Sequence, residues 1–437
     1  MKEARRRVAL LVAFWIAAAA FSQDTPMFRN DLAHTGVYNA VGVPRLTGLK
    51  WKFHTGGLIV SSPAVANGLA YVGSTDGYLY AVDIKSGAMQ WKFATKARIV
   101  SSPAVASGLV YFASYDGWFY AIDASSGKLK WRFNNAGERR FAASHIHGAL
   151  PAAEIMPDPF DCYLSSPAIW HGTVYFGSGD GNIYALNAAT GAVQWKFKAG
   201  DVVHASPAIS GGTLFVGSWD SYFYAIDAVS GKEKWRFKTG EDPAIHNQVG
   251  IQSSAAVVDG TVYFGCRDSH LYALDALTGK VKWSFSTGSS WVISSPAVLN
   301  GRVYFATSDT ALLYALDGGS GKQIFTLKFH FPFFSSPAIA GNTLYIGSHD
   351  GKLTAIDLAR GARAWEFQTD ASRQKLAAFS KPDGSPNYQA AFNSDFYDDL
   401  IAGVARMQSV GTILSSPVVT GSGVYFGSND GSLYAPM

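Results

Sequence analysis

The chain repeats one unit of about forty residues eight times. The two clearest copies run from Ser61 to Phe93 and from Ser101 to Phe133. Each copy alternates short runs of β-branched and aromatic residues with turn residues, which predicts four short strands per copy. A period of this length made of four strands is typical of a β-propeller. The sequence therefore predicts an all-β, eight-bladed β-propeller of four-stranded antiparallel blades.

The two ends of the chain share one predicted blade. The eighth copy stops after its third strand, at the sequence GSLYAPM, whereas Leu49 to Phe53 precede the first copy without the other three strands. An open ring would leave an unpaired sheet edge at each end, and such edges promote aggregation. We therefore expect the N-terminal strand to close the last blade.

Residues 1–22 have the layout of a cleavable export signal. Basic residues at Lys2 and 5–7 precede an apolar run from Val8 to Phe21, with small residues beside Phe21. That run is shorter than the roughly twenty residues that span a bilayer. We expect a signal peptide (1–22), a lead-in (23–48), a propeller (49–437) and a periplasmic or secreted protein.

Charge and cysteine content exclude some classes. The formal net charge is +4, and most of it comes from the predicted leader. The basic stripe with interleaved aromatics that nucleic-acid binding needs is missing, so no nucleic-acid partner is expected. The two cysteines, Cys162 and Cys266, belong to the third and fifth repeats, so we expect free thiols.

Three insertions, 134–164, 238–252 and 368–414, lengthen the connections between the fourth strand of one blade and the first of the next. These connections emerge on one face of a propeller, so all elaboration is expected there. The last insertion contains Asn393-Ser394 as a cap, acidic residues, then apolar residues at helical spacing, which predicts a short helix. It forms either a partial lid over the axis or an external flap.

Positions that differ among the repeats are candidates for function. The residue before each Ser-Ser-Pro motif is apolar in six copies, but it is His204 in the fourth and Gln252 in the fifth. A buried polar group in such a column needs a partner. Every copy keeps an aspartate in the turn between the second and third strands, which suits a tight hairpin. Trp219 and Arg267 precede that aspartate in the same two blades.

Further candidates lie in the insertions. The first contributes His145 and His147, and the second contributes His246 and Asn247. A His-X-His pair could bind a metal with acidic neighbours, although we favour a solvated loop and predict no metal site. The ligand-binding candidates are His145, His147, His204, Trp219, His246, Asn247, Gln252 and Arg267, and no catalytic residue is assigned.

The unit Ala121-Ile122-Asp123 through Ser126-Gly127 to Trp131 resembles the tryptophan-docking repeat of pyrroloquinoline-quinone (PQQ) type propellers, the quinoprotein alcohol dehydrogenase-like superfamily. The resemblance covers residues 49–437 and implies either a quinone-dependent dehydrogenase or a noncatalytic scaffold such as the outer-membrane assembly propeller. Quinone-dependent members clasp PQQ between a tryptophan and a disulfide of adjacent cysteines, and they bind calcium. This chain has no adjacent cysteines, and only Trp219 or Trp291 could replace the stacking tryptophan.

We therefore expect an exported, noncatalytic propeller that binds a protein segment or a small ligand at the decorated axial face, without a firmly expected cofactor. The alternative is an alcohol or sugar dehydrogenase that uses PQQ with calcium, and a third possibility is metal-dependent hydrolysis. The resembling lipoprotein scaffolds carry a lipidated cysteine directly after the signal, and this chain has none before Cys162. No lipid anchor is expected, and membrane contact is expected only through partners.

Overall fold

A computed structural model describes residues 24–240 and 250–437. The predicted signal peptide and the segment 241–249 lie outside the described residues. The strands form eight blades of four antiparallel strands each, which confirms the predicted eight-bladed propeller. In the described part of the chain, no helix is long and apolar enough to cross a membrane.

We label the strands of each blade A to D from the axis outward. The A strands are Ala64–Ala66, Ala104–Ala106, Ala168–Trp170, Ala208–Ser210, Ala256–Val258, Ala297–Leu299, Ala338–Ala340 and Val418–Thr420. The B strands are Leu69–Gly73, Leu109–Ser114, Thr173–Gly177, Thr213–Gly217, Thr261–Gly265, Arg302–Ala306, Thr343–Gly347 and Gly423–Gly427. The C strands are Tyr78–Asp83, Trp118–Asp123, Asn182–Asn187, Tyr222–Asp227, His270–Asp275, Leu312–Asp317, Lys352–Asp357 and Ser432–Pro436. The D strands are Met89–Ala94, Leu129–Asn134, Val193–Lys198, Glu233–Lys238, Val281–Ser286, Gln323–Lys328, Ala362–Gln368 and Leu49–His54.

Tryptophans of the D strands hold neighbouring blades together. Trp91 donates its indole N–H to the carbonyl of Ala124 in the next blade at 3.1 Å. A Cβ atom on Gly127 would lie 2.8 Å from that indole, and Gly127 has a φ of +67°, so glycine is required there. The same indole bond recurs at Trp51, Trp131, Trp195, Trp235 and Trp283. The sixth blade has Phe325 instead, which has no group to donate.

A closed ring of serines surrounds the axis. The backbone N–H of Ser62 donates to the Oγ of Ser102 in the next blade at 2.9 Å, and each later blade repeats the bond. The eighth bond runs from the N–H of Ser416 back to the Oγ of Ser62 at 2.9 Å. The ring members are Ser62, Ser102, Ser166, Ser206, Ser254, Ser295, Ser336 and Ser416. These bonds join all eight blades into one cycle.

The eighth blade closes as predicted. The D strand Leu49–His54 pairs antiparallel with the C strand Ser432–Pro436, with Lys52 opposite Tyr434. Trp51 then donates its indole N–H to the carbonyl of Ile84 in the first blade at 3.0 Å. The closing strand therefore completes the last sheet and also docks it against the first.

The lead-in runs along the inner edges of six of the eight A strands and bonds to the middle residue of each. Its carbonyls accept the N–H groups of Val65, Val105, Ile209, Val257, Val298 and Ile339. Its strand Val37–Tyr38 runs parallel to the seventh A strand. Arg29, only 1% exposed, donates to the carbonyls of Pro296 and Pro337. The lead-in thus provides a partner for the inner edges of six blades, whose N–H groups would otherwise be unpaired.

The last insertion contains helices α1 (Asp370–Lys375) and α2 (Tyr397–Gln408). Short 3₁₀ turns lie at Leu376–Phe379 and Tyr388–Ala390, and a third lies in the first insertion at Ile146–Gly148. The predicted helix is confirmed, but its predicted cap is wrong, because the N-cap is Phe396 without a side-chain bond. Asp399, inside the helix, instead accepts the backbone N–H groups of Asn393 and Ser394.

Trp51 tests the closure of the ring. Replacing Trp51 with alanine removes both the packing and the docking bond. We therefore expect the free energy of unfolding to fall by about 3–5 kcal/mol and aggregation to begin at a lower temperature on heating. Trp51→Phe keeps most of the packing, as Phe325 does in blade six, so the loss should be about 1 kcal/mol. Urea unfolding and light scattering measure both. A Trp51→Ala protein as stable as the Phe variant would contradict the closing role.

Candidate functional site

The first insertion covers the axis on the decorated face. Phe160 and Tyr163 pack against the apolar residues that precede the serine ring. The hydroxyl of Tyr163 donates to the carbonyl of Leu414 at 3.0 Å. The cavity at the serine ring, lined by Tyr163 and by Phe28 of the lead-in, has a volume of only about 30 Å³. The chain itself therefore fills the axial opening.

His204 is fixed by a carboxylate of the first insertion. Its Nδ1 lies 2.8 Å from Asp161, and its Nε2 lies 3.8 Å from Glu138. All three side chains are almost completely buried. Burial alone would lower the pKa of His204, but Asp161 and Glu138 outweigh it and raise the pKa to about 9. The imidazole is therefore a buried cation that ties the insertion to the fourth blade.

Arg267 anchors the same insertion from the fifth blade. It donates to Asp158 at 2.6 Å and to the side-chain oxygen of Gln252 at 2.8 Å. The guanidinium carbon also lies 4.2 Å from the ring centre of Trp219 and 4.1 Å from that of Trp291. Burial opposes ionisation of Asp158, but Arg267 and His147 lower its pKa below the usual range. Arg267 and Asp158 form a buried ion pair lined by two indoles.

Both faces of Trp219 are covered. Phe141 stacks on it with ring centres 4.5 Å apart and planes 7° apart. Two groups this close to one ring centre must lie on opposite faces, so Arg267 covers the other face. The side chain is 2% exposed. Trp219 therefore has no free face for stacking on the ring of a ligand.

The two histidines of the first insertion have different surroundings. The Nε2 of His147 lies 2.9 Å from Asp158, so His147 joins the Arg267 network. His145 is exposed and lies outside this network. Gln252 donates its amide to the carbonyl of Phe160 at 3.0 Å. His246 and Asn247 lie outside the described residues. The sequence candidates His147, His204, Trp219, Gln252 and Arg267 are thus brought together as the support of one insertion.

The described residues do not fit PQQ with calcium. Cys162 and Cys266 are free thiols, as predicted, so no disulfide of adjacent cysteines exists to clasp a quinone. Trp219 is covered on both faces, as shown above, and Arg267 covers one face of Trp291, the other tryptophan candidate. Within 24–240 and 250–437 there is no group of three or more His, Cys, Asp and Glu side chains that could hold a metal ion. We therefore derive no reaction through a quinone.

A partly open cavity of about 400 Å³ lies beside this network, beneath helix α2. Its roof includes Val404 and Met407 of α2, and its walls include Trp291, Phe334 and His349. Burial lowers the pKa of His349 to about 4, so its ring is neutral at pH 7. Trp291 and His349 each carry a buried ring nitrogen without a hydrogen-bond partner in the described structure. The cavity is one space on this face that a ligand could occupy.

Sequence reasoning missed several residues of the site. Glu138 and Phe141, which hold His204 and Trp219, lie in an insertion that has no counterpart in other repeats, so no column comparison could mark them. His349 did have a signal, because it occupies the same repeat position as Trp219 and Arg267. Bulky titratable residues occupy that position in three of the eight copies, at Tyr115, Arg267 and His349. Comparing that column for size and charge would have found it.

Arg267 should contribute strongly to stability. Arg267→Met leaves the buried carboxylate of Asp158 without its cation, so we expect a loss of about 3–5 kcal/mol in urea unfolding. Adding Asp158→Asn should restore part of that loss, because the uncompensated charge is removed. Arg360→Met breaks an exposed pair with Asp357 and should cost less than about 1 kcal/mol. Equal losses for Arg267→Met and Arg360→Met would contradict the buried role.

His204 should impose a pH dependence. Its folded-state pKa of about 9 exceeds the unfolded value of 6.5. The contribution of His204 to the free energy of unfolding is therefore fully present below pH 6.5 and is lost as the pH rises through 9. The pKa values of His34 and His349 are lowered, so these two residues change the stability with pH only below pH 6.5. Free energies of unfolding measured between pH 6.5 and 9 should decline in the native protein, and His204→Gln should flatten the decline. An unchanged slope in that variant would refute the assignment.

The comparisons with known proteins agree on one architecture. The family model PQQ_2, described as "Outer membrane protein assembly factor BamB", matches residues 38–154, 164–290 and 286–395. A search of curated protein sequences finds no match.

Among solved structures, BamB from Moraxella catarrhalis is 16% identical with a TM-score of 0.64, covering 90% of this chain and all of the other. A europium-containing methanol dehydrogenase is 16% identical with a TM-score of 0.68, covering 94% and 97%. The quinohemoprotein alcohol dehydrogenase of Comamonas testosteroni is 15% identical with a TM-score of 0.71, covering 96% and 81%. At these identities the structures share the fold with this chain, and the family match covers most of its length. The chain belongs to the PQQ_2 family of β-propellers, described as outer membrane protein assembly factor BamB.

Proposed function

We propose that this chain is an exported, noncatalytic propeller that binds a protein segment or a small ligand at the face carrying its insertions. The observation that carries the proposal is how the polar side chains of that face are used. His204, Arg267 and Gln252 are buried and bonded to the first insertion. The polar groups of these side chains are engaged in bonds within the protein that make the surface rigid. Such a surface suits binding better than catalysis.

The contents of the face support binding in a second way. A catalytic site needs reactive groups that a substrate can reach, whereas the two buried ion pairs here are enclosed by the chain. The cavity under α2, about 400 Å³ in volume, has the size of many ligand sites. It is lined mainly by aromatic and aliphatic side chains, which contribute affinity through burial.

The first and last insertions together form the binding surface. The N–H of Leu150 donates to the carbonyl of Asp395 at 2.8 Å, and the N–H of Tyr397 donates to the carbonyl of Leu150 at 3.0 Å. The hydroxyl of Tyr397 donates to the carbonyl of Pro157 at 2.6 Å. Such mutual bonds favour a continuous, preorganised surface, and preorganisation lowers the entropic cost of binding a partner.

The leader pattern supports export, and the family supports a scaffold. One solved relative is named BamB, and the family description names an assembly factor of outer membrane proteins. Two other relatives are named as dehydrogenases. The oxidoreductase alternative therefore needs a direct test.

Reconstitution separates the two functions. We expect the purified protein to show no saturable binding of PQQ in the presence of calcium by calorimetry. We also expect no reduction of an artificial electron acceptor with alcohols or sugars, because Trp219 is covered and the described residues offer no calcium ligand set. A quinoprotein dehydrogenase assayed in parallel serves as the positive control. Stoichiometric PQQ binding with substrate-dependent dye reduction would overturn the noncatalytic proposal.

A further inference from the structure

The cavity beneath helix α2 has aromatic walls. Rings of Phe160, Trp291, Phe334, Tyr388 and Phe392 line it. Phe334 lies edge-on to His349 with ring centres 4.5 Å apart. Aromatic faces carry partial negative charge and attract cations. The walls therefore favour an apolar body and, at its polar end, a positive charge over a negative one.

One acidic side chain, Asp309, lines the same cavity, and no Lys or Arg side chain is among its described lining residues. Asp309 accepts a bond from the hydroxyl of Ser308 at 2.7 Å and has no ion pair among the described residues. The nearby Lys328 donates its ammonium group to the carbonyl of Thr310 instead. An exposed carboxylate thus stands beside an aromatic cavity without a cation of its own.

Asp309 is unusual among the eight turn aspartates. Six of the others accept the hydroxyl of the tyrosine four residues later, as Asp76 does with Tyr80 at 2.7 Å. In the seventh blade, Asp350 accepts the backbone N–H of Lys352. In the sixth blade the hydroxyl of Thr307, rather than Asp309, accepts the backbone N–H of Leu312 at 3.0 Å. Asp309 is therefore released from the structural role that the other aspartates keep.

The other titratable groups near the cavity do not cancel this charge. Burial lowers the pKa of His349, so that ring stays neutral at pH 7. His147 lies against Asp158, which also pairs with Arg267, so these groups compensate one another. Asp309 is therefore the acidic group of the described lining, and no lining Lys or Arg offsets it. Cations are attracted and anions are repelled.

We propose that this cavity binds a small organic cation, an amine whose aromatic or aliphatic body fills the space under α2 while its ammonium group pairs with Asp309. The inference rests on the proposed function, because it assigns a ligand class to the same decorated face. An ammonium–carboxylate pair at the mouth sets orientation, and the buried body supplies most of the affinity. A hydrogen-bonding group on the ligand beside Trp291 or His349 would also relieve an unpaired ring nitrogen.

Calorimetry with a matched set of probes tests the ligand class. The probes are 2-phenylethylamine and tryptamine as cations, 2-phenylethanol as a neutral analogue, and 3-phenylpropionate as an anion. We expect the full-length protein to bind the amines roughly tenfold or more tightly than the alcohol, the range of a charge-assisted bond. The carboxylate should show no binding. Amines that fail to bind, or that bind no better than the alcohol, would overturn the inference.

Two variants locate the site. Asp309→Asn should reduce the affinity for amines to that for the alcohol, while leaving the melting temperature unchanged. Met407→Trp fills the cavity from its roof and should abolish binding of both probes. Asp398→Asn, on the exposed first turn of α2, is the matched control and should bind like the native protein. Amine binding that survives either Asp309→Asn at full strength or Met407→Trp in a folded protein would place the site elsewhere and refute the inference.

The two proposals fail separately. A protein that binds none of the amines and shows no activity with PQQ leaves the noncatalytic scaffold in place and removes only the organic-cation site. A protein that turns over alcohols with PQQ removes the scaffold proposal whatever the amines do.

Discussion

The ring of serine hydrogen bonds around the axis is the constraint on which the remaining structure depends. Each bond joins a backbone N–H to the hydroxyl of the next blade, and the last bond returns to Ser62. A cyclic arrangement fixes the angle between successive blades, because no blade can rotate without breaking two bonds. The tryptophans of the D strands fix the same angle at the periphery, as Trp91 does against Gly127. Inner and outer contacts together make the wheel rigid, and a rigid wheel gives the insertions a defined platform.

Buried charge positions the first insertion on that platform. Asp158 and Asp161 are only three residues apart, yet one meets Arg267 of blade five and the other meets His204 of blade four. An unpaired charge in such a place would be costly, so the insertion has few alternative positions. This pinning places Phe160 and Tyr163 over the axis and leaves the cavity to one side, beneath α2. The polar residues that stand out in the repeats are therefore mainly determinants of shape.

The fold could be predicted from the sequence because every structural position recurs. Serine, turn aspartate and docking tryptophan each appear in most copies, and the missing strand at one end matches the extra strand at the other. The partners of His204 and Arg267 could not be predicted, because Asp158 and Asp161 lie in an insertion with no repeated register. The predicted cap of α2 was wrong for a related reason, since Asp399 inside the helix accepts the backbone N–H of Asn393. Asp309 shows a third limit: its identity is the same as in the other turns, and only the local hydrogen bonds reveal that its role differs.

The lead-in and the closing strand have a consequence for assembly of the chain. The lead-in near the N-terminus bonds to A strands around most of the ring. The strand Leu49–His54 pairs with Ser432–Pro436, which lies nearly the whole chain away in sequence. Contacts of such long sequence separation form late and slowly. During synthesis the first segment emerges early but has no finished site until the final blade exists. Seven blades must therefore remain an open arc with two unpaired sheet edges, a stage at which the chain is most prone to aggregation.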